Sequence, residues 1–371
     1  MANTARRTAG VIVLLLAGLA MAPSALTLRD FEAPESLIEN AELSFAYRYY
    51  DDPRTTGIDV STGHFGMAYD RLFDTPDFGY TAWGGTTIEL ADLVARSWTG
   101  SAAASYRYYV SEELPLFVYA GGVLEAATYQ IRPGCEIRSG VGVGRLRDVT
   151  PMAQALRITD ALVSQGTLAR RPSDAVLLRI ANQIAAADAY EEPSEWMASV
   201  AEVIESLMGV GMDAESILIL SSELGEDAES RYCGAIIQGG VGFELIDAYA
   251  EEQDILYVMS ADVAHAPTAD SQLRCRMSVS GASTALLADN TSTLSIFYTT
   301  DLRPSCALRA EYELKRVTSP GTATMTLQTA AVELAVGVGR TDLLFHLSLA
   351  NEALDVGWTV DLSVSLAVDL L

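Results

Sequence analysis

The sequence predicts a mainly β chain in which about 14 antiparallel strands close into a β-barrel that carries a helical insert. Three observations lead to this prediction. Apolar and polar residues alternate with a period of two through residues 41–146 and again through 229–371. Apolar residues at helical spacing fill residues 150–225 between these regions. The apolar residues, half of the chain, are spread over many short stretches, as in barrel strands, which expose only alternate side chains to lipid.

The amino terminus, residues 1–25, has the order of a secretory signal peptide. Arg6 and Arg7 precede an apolar run over 9–21, and small residues follow over 22–25. A membrane-spanning helix is the alternative, but a bilayer span needs about 20 apolar residues and this run is shorter. We therefore expect export by a cleaved signal. No cysteine follows the run where a lipoprotein needs one.

Six strands are predicted in the first region, 41–146. The first alternates Leu43, Phe45 and Tyr47 with Ser44 and Arg48, and turn residues follow it. The others are expected near 64–70, 77–90, 101–110, 115–127 and 136–146. The glycines of the last strand alternate, as expected where a barrel wall needs small inward residues.

Four short amphipathic helices with a common core are predicted in 150–225. Helix starts are expected at Thr150, Ser173, Ser194 and Asp213, which are residue types that favour the first helical positions. Glycines are typical of helix ends, and the expected ends lie at Gly166, Gly209 and Gly225.

Eight strands are predicted in the last region, 229–371. They are expected near 235–245, 254–264, 272–282, 292–300, 306–315, 322–339, 342–350 and 358–370. The final run, from Trp358 to Leu370, alternates most regularly. Six strands before the insert and eight after it return both chain ends to the side on which the chain starts, as in bacterial barrels with an even strand number.

Charge and cysteine content limit the possible partners. The formal net charge is −25, and it becomes −27 without residues 1–25, which contain two arginines and no acidic residue. Nucleic acid is therefore not expected as a partner. Cys135, Cys233, Cys275 and Cys306 have no metal-ligand spacing; they form up to two disulfides in an oxidising compartment, or stay free.

No catalytic, cofactor-binding or metal-ligating residue is predicted. The chain has three histidines and none of the motifs of serine hydrolases, zinc proteases or phosphate-binding loops. A dispersed site built from Ser44, His64 and Asp70 is an alternative, but polar residues that line a lumen explain this pattern better.

Charged residues on the polar phase of the strands are the candidate site. They are Arg48, Arg107, Arg138, Arg309, Glu311, Glu313, Lys315 and Asp361, and they are expected to line the lumen. In one interpretation, opposed rows of arginine and carboxylate set a transverse field that selects small solutes. In the other, these charges pair with one another and fill a closed interior.

The chain resembles bacterial outer-membrane β-barrel proteins, porin-like ones included, as a broad class. The features that carry the resemblance are the signal peptide, the tyrosine-rich alternating strands, the even strand count and the terminal strand. The resemblance implies transmembrane strands, an outer-membrane location, contact with outer-membrane lipid and with the barrel-assembly machinery, and a periplasmic insert. The carboxyl terminus departs from the class, since it ends in Asp369-Leu370-Leu371 rather than in an aromatic residue.

Three functions are consistent with these features. The first is a porin-like channel whose insert gates the periplasmic mouth or docks a periplasmic partner. The second is a non-conducting structural or surface barrel. The third is a secreted soluble β-sandwich that binds ligands; it fits less well, because several of the predicted strands exceed the usual sandwich length of about 5 to 6 residues.

Overall fold

The structure is a computed structural model. It describes residues 27–33, 35–50, 54, 60–111, 114–225, 230–249, 253–285, 288–303, 306–321, 323–338, 341–351 and 357–368. The predicted signal peptide and the terminal Asp369-Leu370-Leu371 lie outside the described residues.

The described residues form fourteen strands in one antiparallel sheet, and each strand pairs with the next one in the sequence. Strands β1 to β6 are Ser36–Tyr50, Val60–Asp74, Phe78–Ala91, Val94–Tyr109, Leu116–Ala127 and Gly134–Asp148. Strands β7 to β14 are Tyr232–Ile246, Ile255–Thr268, Ser271–Ala282, Asn290–Arg303, Cys306–Thr318, Met325–Val338, Thr341–Asn351 and Thr359–Val368. The predicted mainly β, antiparallel fold is confirmed.

The edges of this sheet are β1 and β14. Among the described residues no backbone pairing joins these two strands, so the fold described here is a single open sheet. It also differs from the β-sandwich alternative, because a sandwich needs two sheets packed face to face and these strands all belong to one.

Strand register divides the side chains between two faces, because directly paired residues of an antiparallel sheet point to the same side. We call the face that carries Phe45, Tyr106 and Val141 the outer face; apolar side chains follow it from β1 to β14. The opposite face, with Asp70 and Arg107, is mainly polar, and we call it the inner face.

The sheet curls around its inner face. Strands β2 and β9 lie seven places apart in the strand order, which would separate them by about 34 Å in a flat sheet at about 4.8 Å per strand. Nevertheless, Nη2 of Arg276 on β9 donates to Oδ2 of Asp70 on β2 at 2.8 Å. The inner face is therefore concave, and its side chains meet across the interior.

The two ends of the curled sheet differ in their connections. At one end, which we call the helix end, β6 leads into the helices, and the other connections are 75–77, 110–115, 269–270, 304–305 and 339–340. At the opposite, far end the connections are 51–59, 92–93, 128–133, 247–254, 283–289, 319–324 and 352–358. Most far-end connections are therefore longer than those at the helix end.

Four helices lie between β6 and β7: α1 is Thr150–Gln165, α2 is Asp174–Ile184, α3 is Pro193–Met208 and α4 is Ala214–Glu223. Helix α3 begins one residue before the expected Ser194, because proline is well suited to the first helical position. Gly166 and Gly209 end α1 and α3 in the left-handed conformation that glycine adopts without strain. Helix α4 ends at Glu223, before Gly225, and Leu224 caps it in the right-handed conformation.

One apolar core joins the helices to the sheet. Its buried side chains include Ile158 of α1, Ile180 of α2 and Ile204 of α3. The amino-terminal Phe31 and Cys233 of β7 belong to the same core, so the helices rest on the end of the sheet. Of the helices in the described residues, none combines the length and the apolar character needed to cross a membrane.

Candidate functional site

All eight charged residues predicted to line a lumen lie on the inner face. The register pairs Arg309 with Glu333 and Glu333 with His346, and it pairs Glu311 with Ala331. The row that starts with Glu311 and Ala331 continues through Ser348 to Asp361 on β14. The alternation within each strand set this phase, since a shift of one residue would have moved every charge to the outer face.

Arg107 is the most buried of the predicted residues, with 2% of its surface exposed. Its Nη2 lies 3.8 Å from Oδ2 of Asp74, and its guanidinium lies 5.8 Å from the centre of the Phe117 ring. The Tyr109 hydroxyl donates to the same Asp74 oxygen at 3.0 Å. Arg145 donates to the backbone carbonyl oxygen of Asp74 at 3.2 Å, so one arginine and a phenol contact this carboxylate and a second arginine binds the backbone of the same residue.

A second charged cluster lies nearer the middle of the strands. Of its members, Asp262, Arg274 and Arg276 were not predicted from the sequence. Arg274 donates two hydrogen bonds to Asp262, at 3.0 and 2.7 Å. Arg276 pairs with Asp70 and lies 3.5 Å from Asp262. The signal that could have found it is the spacing of Arg274 and Arg276, because two arginines two positions apart in a strand share one face.

Arg138 is also paired, since its guanidinium donates two bonds of 2.7 Å to Glu136 on the same strand. These two residues are neighbours on the inner face of β6. A bidentate contact of this kind fixes the orientation of the guanidinium plane. The partner of Arg138, Glu136, is not one of the eight predicted residues.

The remaining predicted residues lie in a more open part of the inner face. Arg309 is exposed and lies 3.5 Å from Glu333, which is itself 3.9 Å from Nδ1 of His346. The side chains of five others are exposed as well, namely Arg48, Glu311, Glu313, Lys315 and Asp361. The candidate residues are therefore divided between a buried region around Arg107 and an exposed one around Arg309.

A cavity of about 400 Å³ occupies the inner face between β2 and β10. The charged residues that line it are Asp70, Arg107, Arg138, Asp262, Arg274 and Arg276. Arg309 and its partner Glu333 do not line this cavity. The structure thus brings Arg107 and Arg138 together and leaves Arg309 apart from them.

The cavity is closed toward the helix end. A buried cluster fills the interior there, and we call it the plug: Ile38, Leu72, Tyr109, Phe117, Tyr119, Leu146, Tyr232, Ile236 and Ala264. On the inner face of β4, Thr99 near the far end is exposed, Ala103 is half-buried and Tyr109 is buried. The interior is thus accessible from the far end.

Glycines on β6 and β7 make room for the plug. Gly140 and Gly240 pair directly, and Tyr119 lies over both. A Cβ atom built on Gly240 would overlap the backbone of Ser139 and lie 2.7 Å from the Tyr119 hydroxyl oxygen. These inner-face glycines therefore allow the close approach of an aromatic ring.

The dispersed catalytic site is not assembled. Asp70 is six residues from His64 along β2, which separates their backbones by about 20 Å at 3.3 Å per residue. Ser44 pairs with Gly66, between the two. Asp70 is instead engaged by Arg276, so this alternative is wrong.

The cysteines and the other potential metal ligands form no cluster among the described residues. Within the described ranges, no group of three or more His, Cys, Asp or Glu side chains could hold a metal ion. All four cysteines are free thiols, with Cys233 buried and the other three partly buried. Of the two alternatives for the cysteines, the structure favours free thiols.

No model of a known protein family matches the chain, and no curated protein matches it either. The inference of function therefore rests on the two faces of the sheet and on the helices.

Proposed function

We propose that this chain is a β-barrel of a bacterial outer membrane whose polar interior admits small solutes from the far end. The observation that carries the proposal is the outer face, which is apolar along the sheet and exposed on most of its strands. Leu43 on β1 is 71% exposed, Val141 on β6 is 64% exposed and Leu362 on β14 is 73% exposed. Soluble monomers rarely expose apolar patches beyond a few hundred Å², so lipid is the environment that fits this face.

Closure of the barrel is part of the proposal. Open sheet edges do not occur within the hydrocarbon of a bilayer, because each unsatisfied backbone group there costs several kcal/mol. We therefore expect β1 and β14 to pair, and an even strand number makes this pairing antiparallel.

Cysteine crosslinking tests the closure. The four native cysteines are first replaced by serine, and one cysteine is placed at Phe45 of β1. A series of variants then carries a second cysteine at each position of 359–364 of β14 in turn. We expect a disulfide at one or two positions of the series, where the side chains are in register. Failure at every position, in a protein shown to be folded, would contradict closure.

The orientation follows from the connections. Outer-membrane barrels have short periplasmic turns and longer extracellular loops, and here the shorter connections lie at the helix end. We therefore place the helices in the periplasm and the far end outside the cell. This orientation also puts the start of β1 and the end of β14 on the periplasmic side, where the barrel-assembly machinery receives its substrates.

The exposed charges of the inner face support a solute path along β10 to β14. Arg309 and Lys315 lie there among carboxylates such as Glu311 and Glu333. In planar bilayers we expect the wild-type protein to conduct. Arg309→Glu combined with Lys315→Glu should shift the anion-to-cation permeability ratio toward cations. An unchanged ratio in a conducting protein would remove these residues from the path.

A second candidate is the non-conducting structural barrel, and the plug is the observation that favours it. If the plug alone blocks the interior, Phe117→Ala should raise the conductance of the inserted protein. Phe45→Ala on the outer face is the matched control and should leave the conductance unchanged. A folded, inserted protein that does not conduct with either substitution would establish the structural role.

The location itself is tested by cell fractionation and by electrophoresis with and without boiling, because folded barrels resist detergent until heated. We expect the protein in the outer-membrane fraction, with a mobility that changes on boiling. Recovery as a soluble periplasmic or secreted protein would refute the proposal. A periplasmic partner of the helices remains part of the proposal, and we assign the chain no enzymatic role.

A further inference from the structure

We propose that the cavity between β2 and β10 is a binding site for a small organic anion that carries a carboxylate or a phosphate group. The proposal deepens the proposed function, since it names the class of solute that enters from the far end. It starts from the charge of the lining. Four arginines and two aspartates line the cavity, and the carboxylates of Asp74 and Glu136 pair with Arg107 and Arg138 from outside the lining.

The ion pairs of the interior leave hydrogen-bond donors unused. Nε and Nη2 of Arg107 form no hydrogen bond with any described residue, and Asp74 at 3.8 Å is too distant for one. The hydroxyl of Tyr119, a residue only 5% exposed, has no partner among the described residues either. Both side chains line the cavity.

These unused groups define the chemistry of the ligand. A buried guanidinium N–H is costly to leave unpaired, and charged donors form their strongest hydrogen bonds with anionic oxygens. A carboxylate or phosphate at the base of the cavity would accept from Arg107 and Tyr119 together. Neutral solutes offer weaker acceptors to a charged donor.

The rest of the lining suits the body of a small organic molecule. Trp83 and Val123 supply apolar surface on one side, and Gln238, Ser260 and Ser278 supply hydrogen-bonding groups on the other. Ligand sites of small molecules commonly have volumes of about 300 to 1,000 Å³, and this cavity, at about 400 Å³, lies at the lower end of that range. The plug forms its floor, so a bound anion would be held rather than passed directly to the helix end.

Calorimetric titration of the folded, detergent-solubilised protein tests the proposal. The probes are succinate, glycerol 3-phosphate and inorganic phosphate, with glycerol as the neutral control. We expect saturable binding of at least one organic anion and none of glycerol. Stronger binding of succinate or of glycerol 3-phosphate distinguishes a carboxylate site from a phosphate site, and binding of inorganic phosphate alone would overturn the organic part of the proposal.

Variants locate the binding. Arg107→Gln should weaken it at least tenfold, and Tyr119→Phe, which removes only the unpaired hydroxyl, should weaken it severalfold. Arg171→Gln, which removes an exposed arginine paired with Asp160 in the helical segment, should leave the affinity unchanged. If Arg107→Gln does not fold by the boiling test, Tyr119→Phe alone decides the matter.

Absence of anion binding by the folded wild type, or unchanged binding in a folded Tyr119→Phe variant, would overturn the site. This outcome is distinguishable from failure of the proposed function, because binding in detergent requires neither membrane location nor conductance. A soluble, non-conducting protein that still bound succinate would refute the barrel and retain the site.

Discussion

Two adjacent alanines on β12 allow a direct test of which face of the sheet meets lipid. Ala330 pairs with Tyr312 and lies on the outer face, whereas Ala331 pairs with Glu311 and lies on the inner face. Both positions are near the middle of Met325–Val338. The same substitution, alanine to arginine, therefore places one cation in hydrocarbon or in the polar interior, at nearly equal depth.

The expected magnitudes differ clearly. Arginine on the lipid face near the bilayer midplane destabilises a barrel by about 2 to 4 kcal/mol. At about 1.4 kcal/mol per factor of ten, Ala330→Arg should lower the folding equilibrium constant by about 30- to 700-fold. Ala331→Arg places its cation opposite Glu311, where a cross-strand pair of opposite charge contributes about 0.2 to 1 kcal/mol. Its stability should therefore stay within about 1 kcal/mol of the wild type.

The assay is guanidinium unfolding of protein refolded into vesicles, followed by tryptophan fluorescence. Ala330→Leu is the control, because it enlarges the same side chain without charge and should not destabilise the inserted protein. Equal effects of the two arginine substitutions, or a larger effect at Ala331, would refute the assignment of the faces. Near-neutral effects at both positions would indicate that the outer face meets water.

Three further predictions concern single positions. Asp92 and Leu93 connect β3 and β4 with φ of 54° and 61°, a conformation that costs a residue such as leucine about 1 to 2 kcal/mol. Leu93→Gly should therefore raise the free energy of unfolding by about 1 kcal/mol. A loss of stability in denaturant titration would contradict this. Gly240→Ala should lower the free energy of unfolding by about 1 to 3 kcal/mol because the added methyl group overlaps the backbone of Ser139 and meets the Tyr119 hydroxyl; an unchanged midpoint would show that both this backbone and the ring can shift. Asp213 caps α4 by accepting a hydrogen bond from the Ser216 N–H, and this bond lowers the pKa of the Asp213 carboxyl below its ordinary 3.8. The cap therefore stabilises α4 at neutral pH and is lost as the pH falls through that lowered pKa. Circular dichroism should show acid-induced loss of helix that Asp213→Asn reduces, and identical acid titrations of the two proteins would count against it.

The strand and helix positions were predictable from the sequence because each has a period that is visible locally. The outer face must be apolar and the inner face polar, so the strand around Arg309 shows a period of two. The helices show a period of 3.6, because one side of each packs on a shared core, as Ile158 and Ile204 do. Gly166 and Gly209 were informative because helix ends often need a left-handed residue.

The interior was less predictable, because its contacts join residues that are far apart in the chain. Asp70 and Arg276 are 206 residues apart, and no local period indicates that β2 meets β9. The plug has the same origin, since Phe117 and Tyr119 read as ordinary members of an alternating strand. Phe31 was not predicted either, because the short segment before the first strand shows no periodic pattern. The Phe31 side chain is nevertheless buried in the helical core.

The junction of the helices with the sheet has a consequence for how the chain assembles. The backbone N–H of Val149 donates to the Arg231 carbonyl at 2.8 Å, and the Arg231 N–H donates to Thr150 Oγ1 at 2.8 Å across 81 residues. Bringing the ends of so long a segment together costs about 3 kcal/mol more in chain entropy than closing a two-residue turn. If the helical segment folds first, it holds these ends together and replaces the tight turn of a hairpin. Strands β6 and β7 then pair as readily as strands joined by a short turn. A variant with unfolded helices should instead stall during refolding, with only β1 to β6 resistant to protease.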